Sequence, residues 1–237
     1  MHIAQSVVFI TGANRGLGLA FAREALAQGA TKVYAGMRDP AGFDEPGLIP
    51  VRIDVTDQVS ITAAAAQCSD TTLLVNNAGI ATLGKGALDS DMLELSQQMM
   101  NTNCYGVVRT VQAFAPALAA NGGGAVVNVL SDVAWLSLPI LAAYAASKSA
   151  AWSVTNAQRL ELAAQNTAVV GVHVGFVDTD MTKDFDVPKA DPRSVVRTVF
   201  AGLEGGDREV LVDDGSRKIK ASLSQPDAVY LNPKPPV

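Results

Sequence analysis

Tyr144 and Lys148 stand one helical turn apart in the run Tyr144-Ala145-Ala146-Ser147-Lys148, and Ser131 ends an apolar β-like run upstream of them. A phenol, an ammonium and a hydroxyl in this order form a device that moves a proton to or from an oxygen. Helix positions i and i+4 share a face, so the ammonium can approach the ring oxygen. A free tyrosine titrates near ~10 and is a poor shuttle at neutral pH. Positive charge from Lys148, plus that of an oxidised cationic hydride acceptor when bound, favours phenolate, and a depression of about three units requires roughly 4 kcal/mol, within reach of a few charge contacts in a water-poor site. Ser131 would bond the reacting oxygen and stabilise charge developing there. Tyr-Lys pairs also occur on ordinary surface helices, and Ser131 could simply end a strand. The trio is useful only beside a group that gives or takes hydride.

The first thirty residues are suited to holding such a group. Gly12, Asn14, Arg15, Gly16, Leu17 and Gly18 form a turn between an apolar run and a helical pattern. Glycines there let backbone approach a pyrophosphate, and a helix N-terminus offers unpaired N–H groups and a favourable dipole. The spacing is G-x-x-x-G-x-G, not the common G-x-G-x-x-G, and alone it is weak evidence. The second apolar run leads into Met37-Arg38-Asp39. An acid ending that strand would bond a free ribose 2′-hydroxyl, but Met37 occupies the place. Arg15 and Arg38 supply two guanidinium forks suited to a phosphate, which favours NADP(H) over NAD(H), with Asp39 counting slightly against. Either arginine alone would read as a solvated surface charge.

The elements that must position these residues alternate along the chain. Strand candidates are Val7–Thr11, Lys32–Gly36, Leu48–Ile53, Leu73–Asn76, Ala125–Leu130, Val169–Val174 and Glu209–Val212. They are short and almost continuously apolar, as strands buried on both faces should be. Helical patterns span Gly16–Gln28, Val59–Gln67, Asp91–Ala120, Ala143–Ala164 and Asp191–Leu203. Pro192 after Asp191 fits a capped helix start, and Asn101, Asn103 and Gly106 predict two helices broken near Asn103. Gly122-Gly123-Gly124 reads as the turn into the fifth strand. The alternation predicts an α/β fold, a parallel seven-stranded sheet with helices on both faces and right-handed crossovers. With no linker or internal repeat, residues 1–237 are expected to form one domain, with the substrate pocket in its C-terminal part.

Composition narrows the function. The chain has 237 residues, is 49% hydrophobic and carries a net charge of −5. Its basic residues are scattered, which argues against nucleic acid or an anionic membrane as partner. The N-terminus lacks the basic region of a signal peptide, and its apolar stretch is too short for a span. Cys68 and Cys104 are the only cysteines, a count that fits a reducing cytoplasm and offers no disulfide framework. His2 and His173 leave no ordinary zinc site and no evident Ser-His-Asp nucleophile. His173 reads as a strand residue with its ring near a surface or loop. The proline-rich last residues are the only tail-like segment.

From about Val7 to Met181 the chain resembles the single-domain branch of the short-chain dehydrogenase/reductase family. The resemblance rests on Thr11–Gly18, Asp54-Val55, Asn76-Asn77-Ala78-Gly79, Asn103-Cys104-Tyr105-Gly106, Ser131, and Tyr144 with Lys148, all in family order. It implies a Rossmann-type doubly wound sheet that binds a nicotinamide dinucleotide. By the same resemblance, Asp54 and Val55 would face the adenine, and Asn77, Ala78 and Gly79 would line the cofactor. Val177 and Thr179 would meet the carboxamide side. Lys148 would also bond the nicotinamide ribose, and Asn103 would hold a water linking Lys148 to solvent. One departure is Val174, where the family usually has proline; it restores an N–H and frees φ, leaving the course of the following loop open. Val174→Pro is expected to alter cofactor affinity or thermal stability.

Val133, Trp135, Leu138, Ile140, Leu141 and Phe176 cluster near the proton-handling residues and point to an apolar pocket for hydrophobic ketones, aldehydes or alcohols. They could equally pack the core or a subunit contact. Asp180–Asp191 is short for a lid. Small residues along Ala143–Ala164 permit close helix approach, and the resemblance implies a homodimer or homotetramer. The expected activity is NADPH-dependent carbonyl reduction or the reverse alcohol oxidation. A nucleotide-binding redox sensor without turnover is the alternative, and it predicts loss of the Ser131, Tyr144 or Lys148 equivalents, all of which are present. The family's extended branch would need more chain after Val212 for a substrate domain.

Overall fold

A computed structural model describes residues 1–233; the last proline-rich residues, 234–237, lie outside it. Seven parallel strands form one sheet in the order β3-β2-β1-β4-β5-β6-β7. They are β1 Val7–Thr11, β2 Lys32–Met37, β3 Leu48–Arg52, β4 Leu73–Asn76, β5 Gly124–Val129, β6 Thr167–His173 and β7 Glu209–Leu211. The helices are α1 Gly16–Ala27, α2 Gln58–Gln67, α3 Met92–Met99, α4 Tyr105–Ala120, α5 Ala142–Leu162, α6 Pro192–Gly205 and α7 Asp214–Ser222.

Continuous burial explains the unbroken apolar runs of the central strands. Val8, Ile10, Val75 and Val127 pack on one face with Phe21 and Ala22 of α1 and Val196 and Phe200 of α6. Phe9, Leu74 and Val126 pack on the other face with Ile61 of α2, Phe114 of α4 and Leu162 of α5. On the first face Phe21 meets Phe200 edge-on at 5.6 Å, an arrangement aromatic quadrupoles favour. The strand order reverses between β1 and β4, and in open α/β sheets ligands bind at the carboxyl ends of the strands at such a point.

Local signals set several starts. Asp57, Asp191 and Asp213 accept N–H bonds at the heads of α2, α6 and α7, and Pro192 opens α6. The expected break near Asn103 is a π-helical turn, Met100–Cys104, between α3 and α4. That turn adds a residue to the helix and re-aims its side chains. Helix α7 is an addition to the expected elements. It is short and charged and buries little beyond Ser216 and Ile219, so apolar periodicity gives no sign of it.

Candidate active site

The glycine turn joins β1 to α1 at the switch point. Gly12 has φ +68°, a left-handed backbone suited to glycine. Gly18 lies so close to the preceding turn that a Cβ would stand 2.1 Å from the Gly12 carbonyl oxygen. Asn77 holds the arrangement from β4: its Nδ2 donates to the Thr11 and Gly12 carbonyls at 3.0 and 3.2 Å. The backbone N–H groups of Asn77 and Ala78 both donate to Thr11 Oγ1 at 3.0 Å. Asn77 and Ala78 therefore shape the cradle from behind.

No side chain caps α1, and its first turn carries no acid. Its head can thus accept an anion without displacing a residue of its own, which fits a pyrophosphate. The Thr179 methyl lies 3.4 Å from where a Gly16 Cβ would be, so the loop after β6 closes over the turn beside Leu17. Val177 anchors that loop through a backbone bridge to Ala190.

Of the two arginines, Arg15 pairs with Asp180 at 3.1 Å, both side chains being mostly exposed. Such a pair is worth about 0–1 kcal/mol and exchanges readily for a phosphate. Arg38 lies instead near Asp54. Hydrogen bonds from Thr56 hold the Asp54 carboxyl below the usual range, and the Arg38 and Arg52 charges add to this. Val55 is buried against Gly106, and its carbonyl accepts from Arg109.

At the carboxyl ends of β4 and β5, Asn103, Ser131, Tyr144 and Lys148 come together. Lys148 is buried, donates to the Val129 carbonyl at 2.9 Å and lies 5.7 Å from the Tyr144 ring centroid. Burial lowers its pKa to about 8. Asn103 Oδ1 accepts from the Ile80 N–H, while its Nδ2 donates to the Ile80 carbonyl and to Ser147 Oγ, each at 2.9 Å. The π-turn thereby clamps the loop after β4 to the helix bearing Tyr144. Gly79 sits between Asn103 Oδ1 and Lys148 Nζ, 3.3 and 3.8 Å from where its Cβ would be.

Tyr144 departs from the expected electrostatics. Burial, followed by the Asp132 carboxylate, pushes its pKa above the ordinary tyrosine value, while the Ser131 hydroxyl works in the opposite direction. The Lys148 ammonium gives one of its three N–H groups to the Val129 carbonyl. In the free protein Tyr144 is therefore a phenol, and phenolate needs further positive charge.

His173 also departs from expectation. Its ring is fully buried, stacked 3.7 Å from Trp135, with Nδ1 bonded to the Ser131 carbonyl at 2.9 Å. A carbonyl only accepts, so Nδ1 carries the hydrogen. Trp135 is drawn into the same cluster under Lys220 and beside Trp152. Val133 and Leu141 pack with Leu138 around Tyr144, whereas Ile140 is exposed and Phe176 meets Phe185. At Val174, the departure from the family pattern, the carbonyl takes the Asp132 N–H at 3.4 Å. A proline would keep that acceptor. Sequence reasoning passed over Asp132; the available signal was an acid directly after Ser131 in an apolar run.

The short chain dehydrogenase family model matches residues 6–189. The short chain dehydrogenase tazN of Aspergillus terreus is 34% identical over 200 residues, covering 76% of this chain but only 43% of that protein. A short chain dehydrogenase from Burkholderia cenocepacia J2315, solved in complex with NADP, superposes with a TM-score of 0.90 at 38% identity over 95% of each chain. The NADPH-bound carbonyl reductase from chicken fatty liver gives a TM-score of 0.78 at 27% identity, covering 88% of this chain and 94% of that one. With the glycine cradle at the switch point of a seven-stranded parallel sheet and Ser131, Tyr144 and Lys148 gathered at the carboxyl end of the neighbouring β5, the chain belongs to the short-chain dehydrogenase/reductase family.

Proposed function

We propose that this oxidoreductase prefers NADP(H) and interconverts a hydrophobic ketone or aldehyde with its alcohol. The observation that carries the reading is the convergence of Ser131, Tyr144 and Lys148 beside the glycine cradle. A bound nicotinamide would supply or receive the hydride at the carbon. In reduction, Ser131 positions the carbonyl oxygen and Tyr144 gives it a proton from its hydroxyl. Lys148, raised in acidity by burial, passes a proton back to Tyr144 from solvent, with Asn103 beside it to hold a water. Alcohol oxidation runs the same proton outward. Arg38 near Asp54, and Arg15 once released from Asp180, are placed to bond a ribose 2′-phosphate.

Leu136, Leu138 and Val133 around Tyr144 favour an apolar group next to the reacting carbon. We further propose one domain acting as a homodimer or homotetramer in a reducing cytoplasm, where the free, buried Cys68 and Cys104 would remain thiols.

A panel of aldehydes and ketones tests the reading through loss of reduced-nicotinamide absorbance. NADPH is expected to be consumed faster than NADH. Tyr144→Phe should lower turnover by about 10²–10⁴-fold, the usual worth of a positioned acid, with nucleotide affinity retained. Full turnover by Tyr144→Phe would remove its proton-donor role. Nucleotide binding without turnover on any carbonyl or alcohol would favour a redox sensor.

A further inference from the structure

Asp132 follows Ser131 at the end of β5 and opens a short 3₁₀ turn, Asp132–Ala134. Its Oδ1 accepts the Ser131 hydroxyl at 3.0 Å, the shorter of two bonds open to that hydrogen, the other being to the Val174 carbonyl at 3.4 Å. Its Oδ2 faces the loop after β6, 3.4 Å from where a Gly175 Cβ would stand. From α7, the capping Asp213 takes the Gly175 N–H at 2.8 Å and faces the same glycine. From α5, Tyr144 lies within range of the Asp132 charge. No salt bridge reaches Asp132 among the described residues; of the two cations on α5, Lys148 bonds to the Val129 carbonyl and Arg159 to the Val169 and Arg208 carbonyls.

This arrangement has two consequences. A serine hydroxyl has one hydrogen, and while it is given to Asp132 it is not available to a substrate oxygen. A negative charge on that flank also opposes a second one on Tyr144. Burial and the neighbouring Asp213 raise the Asp132 carboxyl to about 6, so its charge changes within an ordinary working range.

We propose that Asp132 is a positioning residue that controls the proton held between Ser131 and Tyr144. Ionised, it takes the serine hydrogen and keeps Tyr144 a phenol; neutral, it frees the serine hydroxyl for substrate and lets Tyr144 ionise more readily. Reduction would therefore gain from protonation of Asp132. Alcohol oxidation, which needs phenolate, would be delayed to higher pH by the anion. The inference rests on the assignment of Ser131 and Tyr144 as the proton site.

The test is Asp132→Asn in the full chain, with two readouts. The first is ultraviolet titration of phenolate in the free protein, with the Tyr144→Phe version of each background subtracted to isolate one of the four tyrosines. Tyr144 should ionise about one pH unit or more lower in Asp132→Asn, the usual effect of removing a close like charge. The second is kcat/KM for NADPH-driven reduction against pH. Wild type should show an inflection near the Asp132 titration at about 6 that the variant lacks, with NADP⁺ affinity unchanged within twofold. If Asp132→Asn does not fold, Asp132→Ser serves in both readouts. An unshifted Tyr144 titration, or an inflection that survives the substitution, overturns the proposal. The titration needs no turnover, so a shifted Tyr144 in a protein inactive on every carbonyl would reject the activity while upholding the coupling of Asp132 to Tyr144.

Discussion

His173 and Asp132 flank Ser131 and make opposite demands on protons. His173 is neutral in the core: its Nε2 has no hydrogen-bond partner and stands 3.7 Å from Glu209. Burial brings its pKa from 6.5 down to about 4. An unfolded chain would bind a proton there below pH 6.5 while the native chain resists, so this residue costs stability as pH falls from 6.5 toward 4. The full difference is roughly 3 kcal/mol at 1.36 kcal/mol per unit. Asp132 works the other way. Raised from 3.8 to about 6, it is protonated in the native state before the unfolded one, so its contribution is present in acid and lost as pH rises through 6. The two slopes offset each other across that window. His173→Phe should keep the stack on Trp135 while removing the titration. Relative to wild type, its unfolding free energy should rise by up to about 3 kcal/mol on going from neutral pH to pH 4. Denaturant melts giving parallel curves for the two proteins would show that His173 does not carry this cost.

The strand–turn–helix unit at Thr11–Gly18 shows what sequence makes legible. Its glycines are required by left-handed backbone at Gly12 and Gly16 and by close backbone contact at Gly18, so their spacing announces the unit. Gly18→Ala would drive a methyl into the Gly12 carbonyl at 2.1 Å. A drop of about 1–3 kcal/mol in stability or more is expected, as for other overpacked sites, with nucleotide affinity reduced at least tenfold. Calorimetry and a binding titration check both, and unchanged values would mean the turn yields without loss. The buried strands are equally readable, because a short apolar run between turn residues is too brief for a helix and too apolar for a loop. Accordingly β1 and β4 occupy Val7–Thr11 and Leu73–Asn76 as expected. Contacts made at a distance are not readable in this way. Asn101, Asn103 and Gly106 announce a break there, but the three bonds of Asn103 to Ile80 and Ser147 depend on the π-turn geometry of that break and on partners remote in sequence, which local residue types do not specify. The buried environment of His173 comes from Trp135 and Glu209, remote in sequence, and α7 is held by its Asp213 cap more than by an apolar stripe.

Across the whole molecule, the parallel strands bring the glycine cradle, the Arg38–Asp54 corner and the Tyr144 site to the carboxyl end of the sheet. Substrate and nucleotide are thus expected along a single cleft. Cofactor preference should lie at the β2 end of that cleft. Arg38→Asp is expected to exchange NADPH preference for NADH by repelling a 2′-phosphate, read as the ratio of kcat/KM values; an unchanged ratio would remove Arg38 from phosphate recognition. Ligand linkage gives a second readout, since a nucleotide at 100 times its dissociation constant adds about 2.7 kcal/mol to native stability. NADP⁺ should therefore protect against unfolding at lower concentration than NAD⁺. The most direct test of the proton site is a crystal structure with NADP⁺ and a bound carbonyl or alcohol. The Tyr144 and Ser131 hydroxyls should both lie within hydrogen-bond reach of the substrate oxygen, with its carbon about 3–3.5 Å from the nicotinamide and Lys148 against the adjoining ribose. A nicotinamide ring seated away from Tyr144, or a substrate oxygen bonded to neither hydroxyl, would contradict the account.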